Sequence, residues 1–80
     1  MIKLKNDSIF VLQQIDITLN TEITLYYSTF KKAYKVMKDY AKMEQLKLKE
    51  PRHIQGTKTW TYETNDKDII FVIKEKEIDL

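Results

Sequence analysis

The sequence predicts an α+β domain with two layers, in which one helix packs on an antiparallel sheet of about four strands in the order ββαββ. Before residue 28 apolar side chains recur at every second position, as in a half-buried strand, and after residue 56 an alternating stretch is followed by the apolar run IIFVI. Between these regions apolar residues recur every three or four positions, as on one side of a helix. Because 80 residues suffice for one hydrophobic core, residues 1–80 are predicted to form a single domain.

The first two strands are predicted to form a hairpin ahead of the helix. Ser8 to Leu19 reads as one long strand whose odd-numbered side chains are apolar and are expected in the core. Those side chains are Ile9, Val11, Ile15, Ile17 and Leu19. Asn20-Thr21 is the predicted turn, and Glu22 to Tyr27 is expected to return antiparallel to the first strand.

A single helix is predicted to begin at Thr29, with Ser28 as its N-cap, and to end at or before Glu50. Pro51 sets that limit because proline disfavours helical backbone in the residue before it. Six apolar or aromatic residues fall on one side of the helix and are expected to face the sheet. They are Phe30, Ala33, Tyr34, Met37, Tyr40 and Ala41.

A second hairpin is predicted near the end of the sequence. Arg52 to Gly56 reads as a loop, Thr57 to Thr64 and Ile69 to Ile73 as strands, and residues 65–68 as the turn between them. One register aligns two apolar pairs and one ion pair, which favours it. In that register Tyr62 lies opposite Phe71, Trp60 opposite Ile73 and Lys58 opposite Glu75.

The charge is unevenly distributed. The chain as a whole carries +2, too little to indicate nucleic-acid binding by itself, but residues 29–49 carry +5 and residues 63–80 carry −3. Five lysines fall within about 60° of one another on the predicted helix, where they form a basic ridge. With Arg52 they are the predicted partner-binding residues: Lys31, Lys35, Lys38, Lys42 and Lys49. Such a ridge suits an acidic protein surface or a phosphate backbone, and a solvated helix face is the alternative.

The residue types present disfavour enzymatic chemistry. There is no cysteine, and the only histidine, His53, reads as a solvated loop residue rather than a member of a catalytic triad. One glycine cannot build a phosphate-binding loop. Asp66 and Asp68 read as turn residues, and the alternation of Glu75, Glu77 and Asp79 with lysines is typical of an exposed edge strand. We therefore expect no catalytic residue, no metal and no cofactor.

One face of the predicted sheet is expected to remain uncovered. If Ile69, Phe71 and Ile73 face the helix, four residues of β-branched character must face away from it. They are Thr59, Thr61, Ile70 and Val72. Such a face suggests a partner protein or self-association as a homodimer, and the alternative is coverage by a terminal segment such as Met1 to Leu4.

No stretch of the sequence resembles a membrane anchor or a signal peptide. No apolar run approaches the roughly 20 residues that cross a bilayer, and the first residues lack an apolar signal core. The sequence therefore predicts a soluble, cytoplasmic protein with no membrane partner.

The run IFVLQQIDITLNTEITLYYSTFKKAYKVMKDYA, followed by a hairpin, resembles the small single-domain proteins encoded by phages and prophages of low-GC bacteria. The resemblance rests on size, element order and composition. Many such proteins are anti-CRISPR or anti-CBASS inhibitors, so it implies a non-enzymatic protein in the bacterial cytoplasm. Such a protein would occlude a host defence protein through its basic helix face, its exposed sheet surface or both. The alternative is a nucleic-acid or nucleotide binder with little sequence specificity, because the chain has 13 lysines but one arginine for bidentate contacts.

Overall fold

A computed structural model describes residues 8–53 and 56–77, and in this part of the chain one helix packs on one face of a five-stranded antiparallel sheet. The α+β class is confirmed, whereas the order is ββαβββ and the sheet has five strands rather than four. The strands are hydrogen-bonded in the order β2-β1-β5-β4-β3. The elements are β1 (Ser8–Asp16), β2 (Thr21–Tyr27), α1 (Phe30–Met43), β3 (Arg52–His53), β4 (Thr59–Glu63) and β5 (Ile69–Glu77).

The first hairpin is shorter than predicted, because β1 ends at Asp16 rather than at Leu19. The Asp16 carboxylate accepts a hydrogen bond from the Leu19 backbone N–H at 3.0 Å, which closes a local turn. Asn20 has a φ of 55°, a left-handed conformation that asparagine adopts more readily than most residues. Residues 17–20 therefore form the turn, and β2 starts at Thr21.

The face of β1 that packs against the helix is the even-numbered one, so the prediction for this strand is wrong. Leu12, which lies opposite Ile73 of β5, belongs to the core with 1% of its surface exposed. Val11 is also buried but points to the other face, while Ile17 and Leu19 are exposed in the turn. Both faces of the strand are apolar near residue 11, so alternation alone could not fix which one meets the helix.

The helix begins one residue later than predicted and uses a different cap. Thr29 is the N-cap, and its hydroxyl oxygen accepts a hydrogen bond from the Lys32 backbone N–H at 3.1 Å. Ser28, the predicted cap, instead contacts the Lys32 ammonium group. The predicted core side of the helix is confirmed at the buried residues Ala33, Met37 and Ala41.

The helix ends at Met43, well before Pro51. Gln45 adopts a φ of 57°, which turns the backbone out of the helix. The backbone N–H of Leu46 then donates to the Ala41 carbonyl at 2.7 Å, and the Gln45 N–H donates to the Lys42 carbonyl at 3.1 Å. These two bonds form a Schellman motif, and the Leu46 side chain packs against the core.

The chain after the helix runs back along β4 as the outer edge of the sheet. Leu48 forms an isolated bridge with Thr64, and the Lys49 N–H donates to the Glu63 carbonyl at 2.8 Å. Further along, β3 pairs with β4, so the predicted loop that starts at Arg52 begins instead with a short strand. Two residues are too few for a hydrophobic period, which is why the sequence did not indicate this strand.

The second hairpin has the predicted register. Tyr62 lies opposite Phe71 and Trp60 opposite Ile73. The Lys58 ammonium group lies 4.0 Å from a Glu75 carboxylate oxygen, as that register requires.

The strand β5 lies in the interior of the sheet, between β1 and β4. The interpretation of Glu75 and Glu77 as parts of an exposed edge strand is therefore wrong, and Asp79 lies outside the described residues. Lys74 and Lys76 alternate with these glutamates, so each charge sign occupies its own face of the strand. The edges of the sheet in the described part of the chain are β2 and β3.

The core lies between α1 and the middle of the sheet. Its largest fully buried side chains are Phe71, Leu12, Met37 and Ile73. Burying each contributes about 1.5–3 kcal/mol relative to leaving it exposed. An aromatic cluster continues the core, with the Phe30 ring 5.0 Å from Trp60 and 6.0 Å from Tyr34. No helix among the described residues is both long enough and apolar enough to span a membrane.

Candidate binding groove beside the helix

An open groove of about 840 Å³ lies between the second half of α1 and the chain that follows the helix. Lys38 and Lys42 project from the helix wall, and Lys47 and Lys49 come from the opposite wall. Apolar and aromatic residues line the groove between these walls, including Tyr62 of β4. We call this feature the basic groove, and its volume is in the range of sites that bind small molecules or short peptide segments.

The wall formed by residues 46–49 is held in place by two hydrogen bonds between the backbone of Lys47 and Asn65. The Lys47 N–H donates to the Asn65 side-chain oxygen at 2.9 Å, and the Asn65 N–H donates to the Lys47 carbonyl at 3.0 Å. Leu46 and Leu48 are half-buried while Lys47 and Lys49 are exposed. The alternation of the extended backbone therefore directs both ammonium groups away from the core.

Tyr62 joins the groove to the hydrophobic core. Only 5% of its surface is exposed, and its ring centre lies 6.0 Å from that of Tyr34. Burial raises the pKa of the Tyr62 phenol above its ordinary value of 10.0, and the neighbouring Tyr34 raises it further. The phenol is therefore neutral at physiological pH.

The groove carries an excess of positive charge. Its lining includes four lysines but two carboxylates, Asp39 and Glu50. The Asp39 carboxylate already forms an ion pair with Lys35, whose ammonium nitrogen lies 3.6 Å away. Lys35 itself does not line the groove. Among residues 8–53 and 56–77 none of the four groove lysines forms an ion pair. The Lys38 ammonium lies 5.6 Å from the centre of the Tyr34 ring, a cation–π contact that leaves its charge available to a ligand.

The structure divides the predicted basic ridge into two groups. Lys38, Lys42 and Lys49 line the groove, whereas Lys31 and Lys35 are exposed on α1 outside it. Lys49 does not lie on the helix as predicted, because the Schellman motif ends the helix at Met43. The prediction of a single ridge of five lysines along one helix is therefore wrong.

Lys47 is a groove residue that the sequence reasoning missed. The segment Leu46-Lys47-Leu48-Lys49 alternates apolar and basic residues with a period of two. That period indicates extended backbone with its lysines on one side. Read in this way, the segment would have ended the helix earlier and placed Lys47 beside Lys49.

Arg52 lies away from the groove. Its guanidinium group is 3.6 Å from the Glu63 carboxylate, and in the β3–β4 register Arg52 lies opposite Thr61. Side chains alternate along β4, and Tyr62 packs against the helix, so Thr61 and Arg52 lie on the other face of the sheet. Arg52 and the basic groove therefore cannot bind the same small ligand.

The four residues proposed for self-association lie together on the sheet face away from α1. Thr61 is opposite Val72, and Thr59 and Ile70 lie on the same face. All four are half-buried rather than fully exposed. Self-association through this face stays a prediction, and the alternative cover, Met1 to Leu4, lies outside the described residues.

His53 is engaged in local contacts. Its ring stacks on Trp60 with centres 5.0 Å apart and planes 13° apart, and its Nε2 lies 2.6 Å from the Thr57 carbonyl oxygen. Because a carbonyl accepts hydrogen bonds, Nε2 carries the proton in this contact. In the described part of the chain no three histidine, aspartate or glutamate side chains are grouped so that they could hold a metal ion.

Comparison of the chain with protein-family models, with curated proteins and with solved structures finds no match. The fold and the site together define a small α+β domain with a lysine-lined groove. The resemblance to phage anti-defence proteins stays a prediction.

Proposed function

We propose that this protein is a non-enzymatic binding protein whose basic groove takes an acidic segment of a partner protein. The proposal rests on one observation: four lysines line a single groove whose lining is otherwise largely apolar. None of the four forms an ion pair with another described residue. Carboxylates of the partner would pair with the ammonium groups, and an apolar side chain would contact Leu46 and Leu48.

A protein segment fits this site better than a nucleic acid does. Single-stranded nucleic acid is bound through exposed aromatic rings on which bases stack. Tyr62 is buried, and Trp60 already packs between His53 and Phe30. The one arginine is paired with Glu63 on the other face of the sheet. A nucleic-acid or nucleotide binder is therefore the second candidate, supported by the lysines and by the half-buried Tyr34 ring in the groove lining.

The proposed partner is a host defence protein in the bacterial cytoplasm, and the proposed action is inhibition by occlusion. This assignment rests on the resemblance to phage-encoded proteins in size, element order and composition. Inhibition of this kind is stoichiometric, because a bound inhibitor blocks one partner and turns over no substrate. The excess of lysine also accelerates association with an acidic surface at low salt.

The test is capture of a partner from a lysate of a low-GC bacterial host, with nuclease present and at about physiological salt. The tagged protein is compared with a triple variant, Lys38→Glu, Lys42→Glu and Lys49→Glu. The matched control reverses three exposed lysines outside the groove, Lys32, Lys67 and Lys76, and so has the same net charge. We expect the groove variant to weaken partner binding at least about tenfold and the control to leave it within about twofold.

Two results would contradict the proposal. Equal loss of binding in the two triple variants would show that net charge, and not the groove, attracts the partner. Recovery of nucleic acid alone, abolished by nuclease, would favour the second candidate. Binding of a labelled oligothymidylate that falls steeply with added salt would then identify the polynucleotide.

A further inference from the structure

Exposed apolar surface is concentrated on the first hairpin, none of whose residues lines the basic groove. The described residues contain five large exposed hydrophobic side chains, and four of them belong to β2 or to the turn before it. The exposed fractions are 55% for Ile17, 68% for Leu19, 47% for Ile23 and 64% for Tyr26. Ile23 and Tyr26 lie on opposite faces of β2, so what they share is the edge of the sheet rather than one face.

The two edges of the sheet differ in how they are protected from other strands. The β3 edge is two residues long, follows Pro51 and carries Arg52, all of which discourage the addition of a strand. The β2 edge is seven residues long and contains no proline, glycine, lysine or arginine. Its single charge is Glu22, and among the described residues no strand pairs with its outer side. Within residues 8–53 and 56–77, the outer side of β2 is therefore open to pairing with another strand.

We propose that β2 pairs antiparallel with β2 of a second copy of this chain, around a two-fold axis at Thr24. The two five-stranded sheets then form one continuous sheet, and the unpaired backbone groups of both edges satisfy one another. This pairing is independent of the function proposed for the basic groove, because β2 and the groove lie at opposite ends of the strand order.

The sequence of β2 is complementary to itself in this register. An axis at Thr24 places Ile23 opposite Leu25 of the second copy, on the sheet face that carries the helix. It also places Glu22 opposite Tyr26 of the second copy, so neither glutamate faces the other. Glu22 is already held by hydrogen bonds from Gln13 and Thr24. An axis at Glu22 would instead bring two carboxylates together, an opposition that the axis at Thr24 avoids.

The test measures molar mass by light scattering and sedimentation over protein concentrations from about 1 μM to 1 mM, where weak dimers dissociate. Thr24→Lys places two like charges across the axis, and Thr24→Glu does the same with the opposite sign. We expect each variant alone to raise the dimer dissociation constant about fivefold or more. An equimolar mixture of the two is expected to dimerise at least as tightly as the unaltered protein, because lysine then faces glutamate.

Circular dichroism of each variant establishes that it is folded, so that loss of the dimer is not loss of the domain. The comparison variant is Thr61→Lys, which introduces the same charge on β4, three strands from β2. We expect Thr61→Lys to dimerise normally. A protein that stays monomeric throughout, a mixture that fails to restore the dimer, or a dimer lost through Thr61→Lys would each overturn the proposal. The last result would assign self-association to the uncovered sheet face instead.

Discussion

Tyr62 belongs both to the hydrophobic core and to the lining of the basic groove, so the pKa of its phenol depends on the packing of both. It packs in the core with Phe71 and Met37, and it lines the groove beside lysines of both walls. Removal from water disfavours the phenolate, which is the physical cause of its raised pKa. Any change that opens the groove would rehydrate this ring.

The raised pKa of Tyr62 predicts a loss of stability at alkaline pH. Below pH 10.0 the phenol is protonated in both the folded and the unfolded states, and its contribution to stability is fully present. Above pH 10.0 the unfolded chain ionises first, so the free energy of unfolding falls until the pH exceeds the raised pKa. We expect Tyr62→Phe to make this fall shallower.

Urea denaturation followed by Trp60 fluorescence, at pH values on both sides of 10.0, measures the effect. The control is Tyr26→Phe, which removes a hydroxyl from an exposed ring. If Tyr62→Phe and the unaltered protein lose stability in parallel above pH 10.0, the phenol is not the group that titrates.

Substitutions at the start of the helix measure how much the N-cap contributes to the free energy of unfolding. Thr29 accepts a hydrogen bond from the Lys32 backbone N–H, whereas Ser28, directly before it, accepts one from the Lys32 side-chain ammonium group. We expect Thr29→Ala to lower the free energy of unfolding by about 1 kcal/mol, the usual effect of losing a cap. We expect Ser28→Ala to change it by less than about 0.5 kcal/mol.

Chemical denaturation of the two alanine variants under one condition supplies the comparison. A larger loss from Ser28→Ala than from Thr29→Ala would assign the cap to the serine, as the sequence alone indicated.

At the level of elements, the sequence predicted what periodicity determines and missed what single backbone conformations determine. The helix face around Met37 and the register of Trp60 opposite Ile73 were correct, because several side chains agree on each. The sequence limited the helix to at or before Glu50 but did not locate its end at Met43, because that end depends on Gln45, whose left-handed conformation gives no sequence signal comparable to glycine.

The candidate site was predicted in part for the same reason. Lys38 and Lys42 were placed correctly on α1 because helical spacing fixes their direction. Lys49 was assigned to the wrong element, and Lys47 was missed, because both depend on where the helix ends. The face of β1 was also wrong, since its position beside β5 is a long-range pairing that local alternation does not encode.

In the molecule as a whole, one core connects the helix to the sheet. Met37 is fully buried and lies in the cluster that includes Leu12 and Phe71. An 80-residue domain has a free energy of unfolding on the order of 5–10 kcal/mol, so one core contact is a large fraction of the total. The helix and the sheet are therefore expected to unfold together.

Met37→Ala is expected to lower the free energy of unfolding by about 2–5 kcal/mol through lost burial and a residual cavity. Met37→Leu, which conserves volume, is expected to cost less than about 1.5 kcal/mol. Far-ultraviolet circular dichroism reports the helix and Trp60 fluorescence reports the sheet. Separate midpoints for these two signals would show that the layers do not share one cooperative core.

The interior position of β5 also has a consequence for biosynthesis. A ribosome produces β1, β2 and α1 first, yet β1 gains its second neighbour in the sheet only when residues 69–77 have been made. Until then β4 has no link to the first hairpin, and the apolar side of the helix lacks Phe71 and Ile73. Closure of this sheet therefore cannot precede the synthesis of β5, and a chain that stops before Ile69 cannot form the native core.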